Sequence, residues 1–178
     1  QDYEAFEARA LNHAKNVSKQ FENDVDIWVC AGRLNATGSH PFTEEQKLRL
    51  SVASIETVRN AAPDKPVVIS FDQPWAEYLA DDDLDLSPLH FADALVRADW
   101  GVTGVGLELN LGFWPGATLP RDLLEISRHI DRWSLLGIPL IVFLTIPSSE
   151  APDPLARGAA QIVLGGPNEP ARAAVDQT

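Results

Sequence analysis

The pattern that most constrains this chain is a fourfold repeat in which an amphipathic segment of helical period precedes a short, mostly apolar run. The apolar runs cover residues 25–31, 66–72, 101–112 and 139–146. Each connection between successive runs is long enough to hold a crossover helix, which allows neighbouring strands to pair in parallel. The repeat therefore predicts an α/β fold with a parallel sheet.

Local signals predict where several of the helices begin or end. Thr43 and Gln46 have the spacing of a capping box, and Ser87-Pro88 combines an N-cap residue with a proline at the first helical position. Gly137 suits the C-terminal cap of the fourth helix. These signals agree with the hydrophobic period, so both predict the same helices.

Two parallel architectures compete. A doubly wound sheet usually carries a glycine-rich phosphate loop between a strand and a helix, whereas Gly101, Gly104 and Gly106 lie before and within a strand. In a (β/α)8 barrel, ligand-binding residues follow the strand ends. Polar residues gather at those points here: Arg33 and Asn35, Asp72 and Gln73, Glu108 and Asn110, Thr145 and Ser148. We therefore predict a TIM-type (β/α)8 barrel, of which the chain covers about four helix–strand units.

Glu108 is a carboxylate in an otherwise apolar, glycine-punctuated run. Strand alternation places Gly104, Gly106, Glu108 and Asn110 on one face. An ionised carboxylate in apolar surroundings is costly unless it is paired or hydrogen-bonded. We therefore expect Glu108 to face a polar cavity or a ligand.

The charge and the metal-ligating residues exclude several classes of function. A formal net charge of −12 argues against binding to nucleic acid or to an anionic membrane. Cys30 is the single cysteine, which excludes an internal disulfide, and the four histidines lack metal-ligand spacing. We predict no metal and no cofactor, and the cellular compartment stays open.

The chain of 178 residues has the length of one ordinary domain. We assign residues 1–147 to a partial barrel and residues 148–178, which are rich in Pro, Ser, Ala and Gly, to an irregular tail. The chain contains no methionine, and it begins directly inside an amphipathic pattern. We therefore expect it to be an excerpt of a longer protein.

The order of these segments resembles the middle of the family 10 glycoside hydrolases, the xylanase-type barrels. Residues 25–28 resemble the family's fourth strand, 67–72 the fifth, 103–111 the sixth, and 135–140 the lead into the seventh. The run Thr-Gly-Val-Gly-Leu-Glu-Leu-Asn-Leu is the closest likeness, similar to a family run Asp-Gly-Ile-Gly-Leu-Gln-Ser-His-Leu. The resemblance implies strands four to seven of a barrel that acts on polysaccharide.

The chain departs from the family pattern at the positions of the two catalytic glutamates. Arg33 stands five positions after Trp28, where the family has its acid/base glutamate, and Leu144 stands where it has its nucleophile. Neither catalytic role carries over. Asp72 matches the fifth-strand aspartate approximately, and residues 108 and 110 hold the positions of the sixth-strand glutamine and histidine.

Asp72 and Glu108 are nevertheless the candidate catalytic pair. Glycoside hydrolysis needs two carboxyl groups across the scissile bond, and these two lie near the ends of consecutive predicted strands, about 4.8 Å apart if the strands are neighbours. The alternative is that each is a structural carboxylate, hydrogen-bonded to a loop or paired with Arg33.

The candidate substrate contacts are residues just beyond the predicted strand ends. Trp75 and Trp114 would stack on a sugar or, alternatively, cap the hydrophobic core. The polar candidates are Arg33, Asn35, Gln73 and Asn110.

Three functions stay open. The resemblance implies a glycoside hydrolase-like barrel acting on or binding polysaccharide, or an inactive carbohydrate-binding or scaffold module derived from such a barrel. The third is an α/β enzyme of unrelated chemistry, because one barrel fold hosts many reactions. Besides a carbohydrate, the expected partner is the rest of the parent barrel or another copy, because an arc of four strands leaves two open edges.

Overall fold

The computed structural model describes residues 2–36, 42–80, 85–110, 118–119 and 121–145. Four helices and four strands alternate along it. The helices are α1 (Tyr3–Gln20), α2 (Glu44–Ala61), α3 (Pro88–Arg97) and α4 (Leu123–Ser134), and the strands are β1 (Trp28–Cys30), β2 (Val67–Asp72), β3 (Gly104–Asn110) and β4 (Leu140–Thr145). A single turn of 3-10 helix spans Glu77–Ala80. The predicted alternation is confirmed, while the proposed tail at 148–178 lies outside the described residues.

The predicted helix caps form as the residue types suggest. Thr43 accepts a hydrogen bond from the Gln46 backbone at 3.2 Å, and the Gln46 side chain accepts one from the Thr43 backbone at 3.0 Å, which completes the capping box. The Ser87 hydroxyl caps α3. Gly137 follows α4 with a φ of +73°, a conformation that glycine adopts without the Cβ penalty.

The strands form one parallel sheet in the order β1-β2-β3-β4. Sequential strands are neighbours throughout, with no reversal of order of the kind that makes the crevice of a doubly wound sheet. The pairing register sets Asp72 directly opposite Glu108, and Asn110 opposite Thr145. The sheet is therefore an arc of a barrel, as predicted.

The hydrophobic core lies between the outer face of the sheet and the helices. Alternate strand residues point into it, and the Phe71 ring lies 5.6 Å from both the Phe91 and the Trp133 ring centroids. The core residues are Cys30, Ile55, Val58, Val67, Ile69, Phe71, Phe91, Ala92, Leu95, Val105, Leu107 and Trp133. Among the described helices, none is long and apolar enough to cross a membrane.

The inner face of the sheet carries the remaining strand residues, and it becomes polar toward the carboxyl ends. Gly106 allows Phe143 and Ser70 to pack closely over it on this face, because a Cβ there would lie 2.7 Å from a Phe143 ring carbon and 3.0 Å from the Ser70 Cβ. Ser70, Asp72, Glu108 and Asn110 are all buried on this side. The alternation predicted for residues 104–110 is confirmed.

Candidate functional site

The site lies at the carboxyl ends of β2 and β3, where Asp72 and Glu108 face each other in register. Both carboxylates are buried. Strand alternation sends them to the inner side of the sheet, and the loop after β1 approaches them from the neighbouring strand. Gly32 allows that approach, because a Cβ at this position would lie 2.9 Å from the Ser70 hydroxyl oxygen.

Glu108 is held at both of its carboxylate oxygens. The Ser70 hydroxyl donates to Oε1 at 2.7 Å, and Arg33 Nε donates to Oε2 in an ion pair. The Arg33 backbone also donates to the Ser70 carbonyl at 3.1 Å, so the loop is tied to β2 as well as to the carboxylate. Arg33 has a φ of +62°, a left-handed conformation that costs energy for a residue with a Cβ. The Glu108 side chain is 12% exposed and that of Arg33 49%, so the guanidinium reaches from the carboxylate to solvent.

Asp72 belongs to a second, adjoining set of hydrogen bonds. Its Oδ1 accepts from the Gln73 backbone at 2.9 Å and from Asn110 Nδ2 at 3.0 Å. Burial raises the pKa of the Asp72 carboxyl, and the Asn110 hydrogen bond and the nearby Arg33 charge lower it in part. Its protonated form is therefore favoured more than in an exposed aspartate.

Asn35 fixes the backbone of the same residue. Its side chain donates to the Asp72 carbonyl at 2.7 Å and accepts from the Asp72 amide at 3.0 Å. Through these two hydrogen bonds, the Asn35 side-chain amide pairs with the Asp72 backbone as a neighbouring strand would. Lys47 Nζ donates to the Asn35 carbonyl at 3.4 Å. Asn35 thus has a positioning role within the site.

The structure adds a residue that sequence reasoning missed. Thr118 is buried, and its hydroxyl accepts from the Asn110 amide at 3.3 Å and donates to the Glu108 carbonyl at 3.5 Å. It reaches the site from the connection between β3 and α4. No periodic signal marks a residue of such a loop, so the sequence contained no indication of it.

Trp75 follows the end of β2 and packs against α4. Its ring stacks on His129 at a centroid distance of 4.1 Å and an interplanar angle of 13°, and the Arg121 guanidinium carbon lies 4.3 Å from its centroid. With two groups already on the indole, the predicted stacking on a sugar requires one of them to be displaced. Trp114 lies outside the described residues.

Six of the eight predicted site residues are thus brought together: Arg33, Asn35, Asp72, Gln73, Glu108 and Asn110. They form two adjoining hydrogen-bonded sets, one around Glu108 and one around Asp72, because the carboxyl ends of parallel strands meet at one edge of the sheet. Among the residues that the structure describes, no group of three or more His, Cys, Asp or Glu side chains is arranged to hold a metal ion.

No protein-family model matches the chain, and no curated protein is similar to it in sequence. Solved structures do match. A GH10 protein from Paenibacillus barcinonensis superimposes with a TM-score of 0.58 at 13% identity, over 86% of this chain and 47% of that one. The chain has the fold of part of that (β/α)8 barrel. A GH10 xylanase from Thermobacillus composti superimposes with a TM-score of 0.57 at 14% identity, over 88% of this chain and 47% of that one.

A GH10 endoxylanase retrieved from a sugarcane soil metagenome gives 0.56 at 9% identity, over 83% of this chain and 42% of that one. The chain therefore spans less than half the length of the structures it matches. At these identities the likeness establishes the fold alone, and it confirms the partial (β/α)8 barrel predicted from the sequence.

Proposed function

We propose that the strand-end site binds a carbohydrate without hydrolysing it, in a glycoside hydrolase-like barrel. The observation that carries this proposal is the double engagement of Glu108, whose two carboxylate oxygens are bound by Ser70 and Arg33. A glycosidase nucleophile needs a carboxylate oxygen directed at the sugar, and a general base needs one directed at water. Glu108 serves here as the anion that positions Arg33.

Arg33 is the ligand contact in this proposal. Its side chain is half exposed, while Nε is tied to Glu108 and its backbone to Ser70. A guanidinium held in this way presents donors in a fixed plane, and little side-chain entropy is lost when it binds sugar hydroxyls. Arg33 also occupies the position at which the family resemblance expects the acid/base glutamate. A guanidinium stays protonated in proteins and so cannot donate the catalytic proton.

Hydrolysis by Asp72 and Glu108 is the second candidate, and two observations favour it. The residues are register partners on adjacent parallel strands. The spacing of such strands, about 4.8 Å, is close to the carboxyl separation of about 5–5.5 Å in retaining glycosidases. Burial raises the pKa of Asp72, which is the condition for a general acid. In this mechanism Arg33 must release Glu108 when substrate binds.

Calorimetric titration of the full natural protein with xylo-, cello- and manno-oligosaccharides, together with a reducing-sugar assay, separates these functions. We expect saturable binding without sugar release, and a loss of at least about tenfold in affinity in Arg33→Gln, the size of one charge-assisted contact. Arg97→Gln is the matched control, since that exposed arginine pairs with Asp93 on α3.

The absence of binding to every oligosaccharide, or unchanged binding in Arg33→Gln, would overturn the binding proposal. Sugar release that disappears in both Asp72→Asn and Glu108→Gln would establish the hydrolytic pair instead. Circular dichroism of each variant verifies that the fold is retained.

A further inference from the structure

A cavity lies outside the strand-end site, between the loop after β2 and helix α4. Its volume is about 210 Å³. It is lined by Trp75, Glu125, Arg128, His129 and Arg132. None of these residues contributes to the hydrogen bonds around Asp72 and Glu108.

The charge of this cavity is opposite to that of the chain. The protein has 26 acidic and 14 basic residues, yet two arginines on successive turns of α4, Arg128 and Arg132, line the same small space. Within the described part of the chain, neither forms an ion pair. The one carboxylate in the lining, Glu125, already accepts from Arg121 Nε at 2.9 Å. The cavity therefore has a local excess of positive charge.

The aromatic wall of the cavity is preformed. Trp75 stacks on His129, and Trp133 Nε1 donates to His129 Nε2 at 2.9 Å, which joins the wall to the hydrophobic core. Arg121 lies over Trp75 and is held by Glu77 at 2.7 Å, with both side chains largely buried. A ligand entering the cavity meets an ordered surface, so little ordering of that surface opposes binding.

We propose that this cavity binds a small ligand carrying an oxyanion, a carboxylate or a phosphate, between Arg128 and Arg132 and beside the stacked Trp75 and His129 rings. Guanidinium groups bind both oxyanions through paired N–H donors, and these charge-assisted hydrogen bonds are stronger than neutral ones. The volume is below the range of pockets for drug-sized ligands, which limits the occupant to a small molecule or to one group of a larger one. This site is independent of the proposed carbohydrate function.

The test is calorimetric titration of the full natural protein with inorganic phosphate, with glucuronate and with glucose, at constant ionic strength. We expect saturable binding of phosphate, of glucuronate or of both, and at least a tenfold weaker affinity in Arg128→Gln/Arg132→Gln. Arg9→Gln/Lys15→Gln removes the same charge from the exposed side of α1 and is the matched control.

Binding of phosphate alone identifies a phosphate ligand, and binding of glucuronate alone identifies an acidic sugar. The proposal is overturned if neither anion binds, if glucose binds as tightly as glucuronate, or if the two double variants have equal affinity. Unchanged oligosaccharide binding in the Arg128→Gln/Arg132→Gln variant would show that the strand-end site binds its ligand independently of this cavity. That conclusion holds whether or not the cavity binds an anion.

Discussion

Strands β2 and β4 have the same length and a similar apolar character, but their surroundings are very different. Val-Val-Ile-Ser-Phe-Asp and Leu-Ile-Val-Phe-Leu-Thr are both six-residue, mainly apolar strands in the same parallel sheet. Every residue of β2 is buried, whereas Val142, Phe143 and Leu144 in β4 are 41%, 37% and 59% exposed. Strand β2 pairs on both sides, and in the described part of the chain β4 pairs only with β3. Burial is therefore a property of the neighbours rather than of the strand's own residues.

The polar site lies on the buried strands of the sheet and not on the exposed strand β4. Asp72 and Glu108 lie on the two central strands, which are buried along their whole length. Buried polar groups are stabilised only when they are hydrogen-bonded, and each of these carboxylates has partners from a neighbouring strand or loop. The covered middle of the sheet is where a fixed polar network can form.

The largest effect is expected from removing an aromatic side chain in the covered middle. Phe71→Ala leaves a cavity beside Phe91 and Trp133, and we expect it to lower the free energy of unfolding by about 3–5 kcal/mol. Leu144→Ala, on the exposed strand, should change it by less than about 0.5 kcal/mol. Urea denaturation of the two variants measures the contrast. Equal losses would show that β4 is as well covered as β2.

A smaller effect is expected from the hydrogen bond that supports Glu108. Ser70→Ala removes the donor to Oε1 from a buried carboxylate, so the free energy of unfolding should fall by about 1–3 kcal/mol. Ser134→Ala is the control, because that hydroxyl bonds the Asp131 carbonyl at the exposed end of α4. A loss in Ser70→Ala no larger than in the control would mean that water replaces the hydroxyl.

Asp72→Asn is expected to change the free energy of unfolding by a still smaller amount, and this change should depend on pH. The folded pKa of Asp72 lies above the ordinary value of 3.8, so the ionised form costs stability above the folded pKa. The amide resembles the protonated acid, and we expect it to raise the free energy of unfolding at pH 7. The gain should fade as the pH drops through the folded pKa toward 3.8. Denaturation across that range tests it, and a gain that persists on acidification contradicts the assignment.

The smallest effect on folding is expected on the outer face of β4. Val142→Lys/Leu144→Lys should change stability by less than about 0.5 kcal/mol per site, because both side chains are already exposed. Among the described residues, no strand pairs with the other edge of β4. We propose that this edge, beside the substituted face, pairs with the rest of the parent barrel or with another copy, so the isolated chain should self-associate and the variant should do so less. Light scattering after size-exclusion chromatography measures the molar mass of the unsubstituted chain and of the variant. A chain that is monomeric without the substitutions contradicts the proposal.

Much of the fold could be predicted because its signals are local. The strand predicted at 66–72 is observed at Val67–Asp72, and helices α2 and α3 begin at the caps that the sequence indicates. The first strand was predicted at 25–31 but spans only Trp28–Cys30. Its pairing starts opposite Val67, the first residue of β2, and Ala31 leaves the extended conformation with a φ of +51°. Strand length depends on the partner as well as on the apolar run.

The candidate site was predictable in part for the same reason. Alternation and strand order are enough to place Asp72 and Glu108 side by side. The direction of a loop residue is not periodic, so the sequence did not indicate that Trp75 stacks on His129 and lies under Arg121. Its contact with a sugar stays a prediction. Thr118 was missed because it enters the site from a loop.

By itself, the sequence determined the alternation of helix and strand, the positions of the caps and the face on which Glu108 lies. Each of these depends on residues a few positions apart, through backbone geometry and hydrophobic period. Only the tertiary structure decided that Arg33 and Ser70 hold Glu108, that Arg128 and Arg132 line one cavity, and that β4 is exposed while β2 is buried. Those outcomes depend on contacts between distant segments, which pairing and packing create only when the chain is folded.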